Sequence, residues 1–201
     1  MNASIDNVYA IILAAGASSR MGRPKQLLEW QNQSLLEHAI QTARSVLNER
    51  VIVVLGAHAE VIQMAADLDA VTTIVNPDWQ EGIASSIRTG IQALPASAEA
   101  GLILLCDQPL INSRHIQTIL SAWQNEPTRI VASRYNQSIG VPTLFPAEFF
   151  RPLMELKGDR GAKHVLMEFS ENLLAIPLPE AELDIDSAGD FDHLTGIIAE
   201  E

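Results

Sequence analysis

The chain of 201 residues is long enough to bury one substantial core, and 47% hydrophobic with 19% charged residues is the composition of an ordinary globular domain. A net charge of −12 argues against nucleic acid or an anionic membrane as a general partner. No apolar run reaches membrane-spanning length and the start Met1-Asn2-Ala3-Ser4-Ile5-Asp6 lacks the basic region of a signal peptide, so a cytoplasmic protein is expected.

Apolar runs rich in β-branched residues alternate with helix-period segments, which predicts βαβ units and a single α/β domain over 1–201 with a Rossmann-like, doubly wound, mostly parallel sheet. The first strand is predicted from Val8 to Ala14, continuously apolar as a strand buried on both faces should be. It runs into Ala14-Ala15-Gly16-Ala17-Ser18-Ser19, after which Arg20, Arg23 and Lys25 follow within six residues. Small residues let a ligand approach the backbone, and N–H groups at a strand end form a concavity for anions. Three cations beside it make a polyphosphate the natural guest. The glycine spacing is neither that of a P-loop nor the dinucleotide fingerprint G-x-G-x-x-G.

Leu13 to Lys25 reads L-A-A-G-A-S-S-R-M-G-R-P-K and meets every fixed position of L-A-A-G-x-S-x-R-M-G-x-x-K. This resembles the signature of the molybdenum-cofactor nucleotidyltransferases, in particular the molybdopterin cytidylyltransferases. The resemblance implies a fold of the nucleotide-diphospho-sugar transferase type. It places Leu13, Ala14, Ala15, Gly16, Ser18, Ser19 and Gly22 around the nucleotide, and Lys25 and Arg20 on the triphosphate as catalytic cations. The cytidylyl and guanylyl branches differ at the second small residue, Ala against Gly, and Ala15 favours cytosine.

Gln26 to Trp30 is predicted extended and Asn32-Gln33 a turn. Ser34 with Glu37 forms a capping box for a helix whose inward face is Leu35, Leu36, Ala39, Ile40, Ala43, Val46 and Leu47. Val51 to Leu55 is the second strand, followed by a helix ending near Leu68, and Val71 to Val75 is the third. A polar loop then leads to Ser85-Ser86 and a helix with Ile87, Ile91 and Leu94 inward. Serines here suit helix capping, while the resemblance puts Gly82, Ser85 and Ser86 beside the nucleotide.

Gly101 to Cys106 is the fourth strand and delivers Asp107 at its carboxyl end, where open α/β sheets place their ligands. Cys106, the only cysteine, excludes an internal disulfide and reads as a buried structural thiol. A helix is expected from Ser113 to Trp123 and a strand from Arg129 to Tyr135. Beyond it Gly140 to Phe145 is extended, with room for an antiparallel strand, and Pro146 to Glu155 is helical. A helix opened by Gly158-Asp159-Arg160-Gly161-Ala162-Lys163, a strand from Leu173 to Leu178 and a closing helix from Ser187 to Ile198 complete the chain.

Magnesium is commonly held by one or two carboxylates plus substrate phosphates. The resemblance assigns Asp107 to the metal, with Mg2+ as cofactor and CTP as substrate. Asp184-Ile185-Asp186-Ser187-Ala188-Gly189-Asp190-Phe191 resembles the closing D-I-D-T-P-x-D-F of the same family. Ser187 with Asp190 explains itself as a variant capping box, which leaves Asp186 as a second metal ligand or ligand-orienting carboxylate.

Of 13 Lys and Arg, three lie in residues 20–25 and four in residues 151–163, so the acidic chain carries two focused basic sites. Cations in a first helical turn are disfavoured by the dipole unless an anion docks there. The helix opened by Asp159 would carry Arg160 and Lys163 in that turn, and Gly158 to Lys163 resembles G-D-R-G-A-[KR], a recurring motif in one branch of the family, which makes this stretch the candidate for the acceptor's phosphate. The five histidines show no zinc-ligand spacing.

The resemblance implies CMP transfer from CTP to molybdopterin, with residues 1–110 as the nucleotide half, 111–201 as the acceptor half, and a molybdenum hydroxylase or its chaperone as partner. Gly140-Val141-Pro142 stands where cytidylyltransferases carry G-H-P, which keeps Gly140 and Pro142 on the acceptor side but removes a histidine. A different phosphorylated acceptor, or a non-catalytic delivery role, remains the alternative.

Overall fold

The computed structural model describes residues 4–187, 189–191 and 194. Its strands are β1 (Val8–Ala14), β2 (Glu29–Trp30), β3 (Gln33–Ser34), β4 (Val51–Leu55), β5 (Thr72–Val75), β6 (Ala100–Leu105), β7 (Ile130–Tyr135), β8 (Ser138–Pro146) and β9 (Leu173–Pro177). The α-helices are α1 (Leu35–Leu47), α2 (Ala59–Ala65), α3 (Ile83–Gln92), α4 (Ser113–Asn125), α5 (Phe150–Met154) and α6 (Ala162–Glu168).

Seven strands form one sheet in the order β5-β4-β1-β6-β8-β7-β9, in which β8 alone runs antiparallel, as the extended segment after Tyr135 allowed. The small β2–β3 hairpin stands apart. The sheet is mixed and mostly parallel, and helices cover both faces. Alternate residues of β1 feed the two layers: Val8, Ala10 and Ile12 pack with Leu36, Ile62, Ile119 and Trp123, whereas Ile11 and Leu13 pack with Ile87, Ile91, Leu153 and Val165. Period-2 alternation splits one apolar run between two cores. Trp123 is 2% exposed and donates its indole N–H to Pro127 O at 3.0 Å. Trp123→Ala is expected to cost about 3–5 kcal/mol in urea denaturation, through the lost transfer energy and the cavity left behind.

Several element boundaries move. The turn between β2 and β3 is Gln31-Asn32, both at positive φ, one residue earlier than expected. Residues 25–27 form a short 3-10 turn rather than extended chain. Helix α2 stops at Ala65, with Ala66 already extended. Helix α3 begins at Ile83 with Gly82 as its N-cap, so Ser85 and Ser86 lie inside it and cap nothing. Helix α6 begins at Ala162 with Gly161 as N-cap, so Asp159 and Arg160 belong to the loop before it and only Lys163 sits in its first turn. Pro146 closes β8, and the helical stretch after it divides into a 3-10 turn and α5. Of the expected closing helix, 189–191 and 194 are helical, and its other positions after Ser187 lie outside the described residues. No helix among the described residues is long and apolar enough to cross a membrane.

Candidate active site

The carboxyl ends of β1 and β6 are adjacent, since the two strands pair in parallel up to Leu13 and Leu105. The small-residue loop after β1 and Asp107 after β6 therefore open onto one cavity of about 420 Å³. Leu13, Ala14, Ala15, Gly16, Lys25, Gly82, Ser86, Asp107 and Asp159 line it together.

The loop is held by Gln26, 1% exposed, which also borders the cavity and which the sequence reading passed over. Its Nε2 donates to Ala14 O at 2.9 Å and to Gly16 O at 3.0 Å, while its Oε1 accepts from Ser18 Oγ at 3.3 Å. Ser18 adopts φ 51° and its Oγ accepts the Lys25 amide at 3.0 Å, so it shapes the return of the chain. Ser18, Ser19 and Gly22 do not line the cavity; Gly22, at φ +66°, and Ser18 build the turn that aims Lys25. His58 Nε2 lies 2.9 Å from Ala17 O, which ties the loop to the start of α2.

Lys25 Nζ hydrogen bonds to Asp107 Oδ2 and reaches Asp186 Oδ1 at 3.0 Å. Its side chain is 15% exposed and that of Asp107 12%, so the pair is shielded from solvent. Burial pulls the ammonium's pKa down, but the charge of Asp107 and the hydrogen bonds that the ammonium donates to Asp107 and Asp186 outweigh it and leave it raised. Arg20 meets Asp186 Oδ2 at 3.0 Å from the surface, with a side chain 71% exposed, and such a pair contributes little on its own. The Lys25 hydrogen bond holds Asp186 below the ordinary carboxylate range.

Asp186 reaches the site because Ile185 is anchored. Its N–H donates to Asp107 O at 2.9 Å and its buried side chain packs among Leu28, Trp30, Leu35 and Leu194. Asp190 caps the following turn by accepting from Ser187 N at 2.7 Å, as the capping box required.

Asp184 keeps exposed atoms, yet desolvation of its carboxyl, followed by the charge of Asp107, raises its pKa to about 6. The folded protein thus holds this proton to higher pH than the unfolded chain, and stability falls as pH rises from about 4 to about 6. Asp184→Asn removes that contribution, so the variant gains stability relative to the parent across that window. Melting temperatures of both proteins from pH 4 to 7 would test this, and a constant difference between them would reject it.

On the opposite wall Asn76, 1% exposed, donates through Nδ2 to Ser85 Oγ at 2.8 Å and Ser86 Oγ at 3.0 Å. Ser85 passes its own proton to Gly82 O at 2.9 Å, so it serves the fold. Ser86 accepts from Asn76 and lines the cavity, which leaves its O–H as a donor toward a ligand. Arg88 grips Glu81 through both nitrogens, at 2.9 and 2.5 Å, and Leu156 O at 2.7 Å. Its hydrogen bonds pull the Glu81 carboxyl down to about 2. This clamp sets Gly82 at φ +117°, where a Cβ would lie 2.3 Å from Asp159 Oδ1.

The acceptor-side expectations divide. Arg160 faces a separate pocket with Arg151, Lys157 and His164, away from Asp107. Gly140 lines a smaller, mainly apolar cavity of about 220 Å³ with Tyr135, Ile139, Val141 and Lys163. A Cβ at Gly140 would lie 2.4 Å from Tyr135 Oη, so a side chain there would displace the tyrosine ring. Pro142 lies behind this wall, where its carbonyl accepts from Ser133 Oγ at 2.7 Å.

The carboxylates suit a divalent ion. Asp107 Oδ1 is buried with no hydrogen-bond partner, an acceptor left open beside the cavity, and hard oxygen donors are what such ions take. Among the described residues no cluster of three His, Cys, Asp or Glu forms a complete cage, so phosphate oxygens would have to finish the shell.

A small-residue loop, a lysine and a strand-end carboxylate at one mouth of a mostly parallel sheet define a nucleotide-handling α/β protein. The family described as "MobA-like NTP transferase domain" matches residues 10–173, and the chain belongs to it. Asp184 and Asp186 fall beyond that matched span. Among curated relatives, nicotine blue oxidoreductase of Paenarthrobacter nicotinovorans is 34% identical over 80% of this chain and 82% of its own. The molybdenum cofactor cytidylyltransferase of Escherichia coli (strain K12) is 26% identical over 92% of this chain and 93% of its own. A solved structure, Rv0371C of Mycobacterium tuberculosis H37Rv in complex with manganese, aligns with a TM-score of 0.77 and 26% identity, over 94% of this chain and 97% of that one.

Proposed function

We propose that this protein transfers CMP from CTP to the terminal phosphate of molybdopterin in the cytoplasm, releasing pyrophosphate, with Mg2+ as cofactor. The observation that carries the reading is the meeting of Lys25, Asp107 and Asp186 beside the Ala14–Ala17 loop. The loop's amides and Lys25 receive the triphosphate, and Arg20 adds charge from the rim. Asp107 and Asp186 would hold the metal, which supplies positive charge for the phosphate oxygens. Ala15 and the free donor of Ser86 suit a cytosine, whose O2 accepts a hydrogen bond, and the E. coli relative is named a cytidylyltransferase. The manganese complex of Rv0371C supports use of a divalent ion.

An acceptor phosphate has its second pKa near ~6 and is ionised at neutral pH without a base. Its oxygen bonds to the α-phosphorus as the bond to the β-phosphate oxygen breaks, and pyrophosphate leaves with that electron pair. The protein's share is alignment and charge stabilisation along this line. Residues 111–201 supply the acceptor side through Lys163, Gly140 and the wall around Val141.

A second reading rests on the oxidoreductase name of the 34% identical relative: an accessory protein that serves a molybdenum hydroxylase or its chaperone without nucleotidyl transfer. Pyrophosphate release measured with CTP, GTP and ATP against molybdopterin and against other phosphorylated acceptors separates these readings. Release with CTP and molybdopterin supports transfer, while CTP binding with no release under any acceptor overturns it.

A further inference from the structure

Among the described residues, Lys25 is the one side chain that touches both carboxylates assigned above to a divalent ion. Its ammonium lies between Asp107 and Asp186, at the place where an ion shared by these carboxylates would have to sit. The shielded Lys25–Asp107 contact gives the lysine a real hold there, whereas Arg20 reaches only the outer oxygen of Asp186 from solvent. The centre therefore gathers two acidic groups and holds its own cation.

We propose that Lys25 is a placeholder cation: before nucleotide arrives it occupies the metal position, and it is released to the phosphates only when the triphosphate and a divalent ion enter together. The inference goes beyond the proposed transfer reaction and shares with it only the assignment of the carboxylates to a divalent ion. Electrostatics supports the exchange. A bare dication meeting Lys25 in that position is repelled at close range in a shielded site, where like charges interact far more strongly than in water. A triphosphate supplies the anionic oxygens that draw Lys25 away and complete the ion's shell, so the site binds the two as a unit. A lysine whose only task were phosphate contact would leave the affinity for the bare ion unchanged.

The test uses Mn2+ alone as the probe, with free Mn2+ followed by electron paramagnetic resonance in titrations of the full chain, with and without α,β-methylene-CTP. The parent protein is expected to bind Mn2+ weakly without the nucleotide analogue and tightly with it. Lys25→Met is expected to bind bare Mn2+ about tenfold tighter than the parent, since one close repulsion is removed, and to bind the analogue more weakly. Lys25→Arg restores the parent's weak binding of the bare ion. Lys25→Gln repeats the measurement with a second uncharged side chain should the Met variant melt differently. Unchanged or weaker binding of bare Mn2+ in folded Met and Gln variants overturns the placeholder while leaving the transfer reading intact if the analogue still recruits Mn2+ to the parent. Failure of the parent to take up Mn2+ even with the analogue overturns both.

Discussion

Asp107→Asn is expected to lower kcat for CMP transfer by roughly a thousandfold, with CTP binding much less affected. Asparagine keeps the shape and a carbonyl oxygen, but it removes the charge that pairs with Lys25 and that the buried, unpartnered Oδ1 offers toward the cavity. Loss of one well-placed electrostatic group in a shielded site costs about two to three powers of ten in kcat. The variant should fold, because the backbone carbonyl of Asp107, not its side chain, anchors Ile185. Steady-state pyrophosphate release and a melting curve are the two measurements, and kcat within tenfold of the parent in a folded variant would remove Asp107 from the reaction.

Gln26→Leu is expected to have the other large effect, on both stability and nucleotide affinity. The leucine fits the volume but takes away the donor shared by Ala14 O and Gly16 O and the acceptor for Ser18 Oγ. Leaving buried carbonyls unsatisfied costs about 1–3 kcal/mol each, so a loss of about 2–4 kcal/mol is expected in urea denaturation. The loop proposed to receive the triphosphate then loses this support, and KM for CTP should rise about tenfold or more through lost preorganisation. Gln26→Glu should be worse, because a carboxylate presents only acceptors to two carbonyl acceptors. An unchanged KM for CTP in Gln26→Leu would show that the loop holds its shape without the glutamine.

These two residues mark how far the sequence could be read. Asp107 was legible because it follows an apolar strand at the edge where parallel sheets place their ligands, and because the resemblance assigns it to the metal. Gln26 was not, since a glutamine after a lysine resembles any surface residue until the loop folds back over it. The same holds for Asn76, Arg88 and Glu81, whose partners Ser86, Leu156 and Gly158 are brought close by α3 and the loop before α6. The helix starting near Asp159 was misplaced by a few residues because the loop of 158–161 docks onto Gly82 and Ala84, a tertiary contact that local capping signals do not record. That shift moved Arg160 out of the expected phosphate site and left Lys163 at the apolar cavity.

By itself the sequence determined the alternation of strand and helix, the two apolar faces of β1, the capping box at Ser34 and the small-residue, cation-rich character of the loop from Leu13 to Lys25. Each of these is written in periodicities and side-chain chemistry that act within a few residues. Only the tertiary structure decided that β8 runs antiparallel beside β6, that Gln26 holds the loop, and that Asp186, 161 residues after Lys25, shares that lysine with Asp107. Those outcomes depend on which distant surfaces bury each other, as Ile185 does against Trp30 and Leu35. The loop after β1 is local, and long-range packing brings the carboxylates to the lysine that follows it.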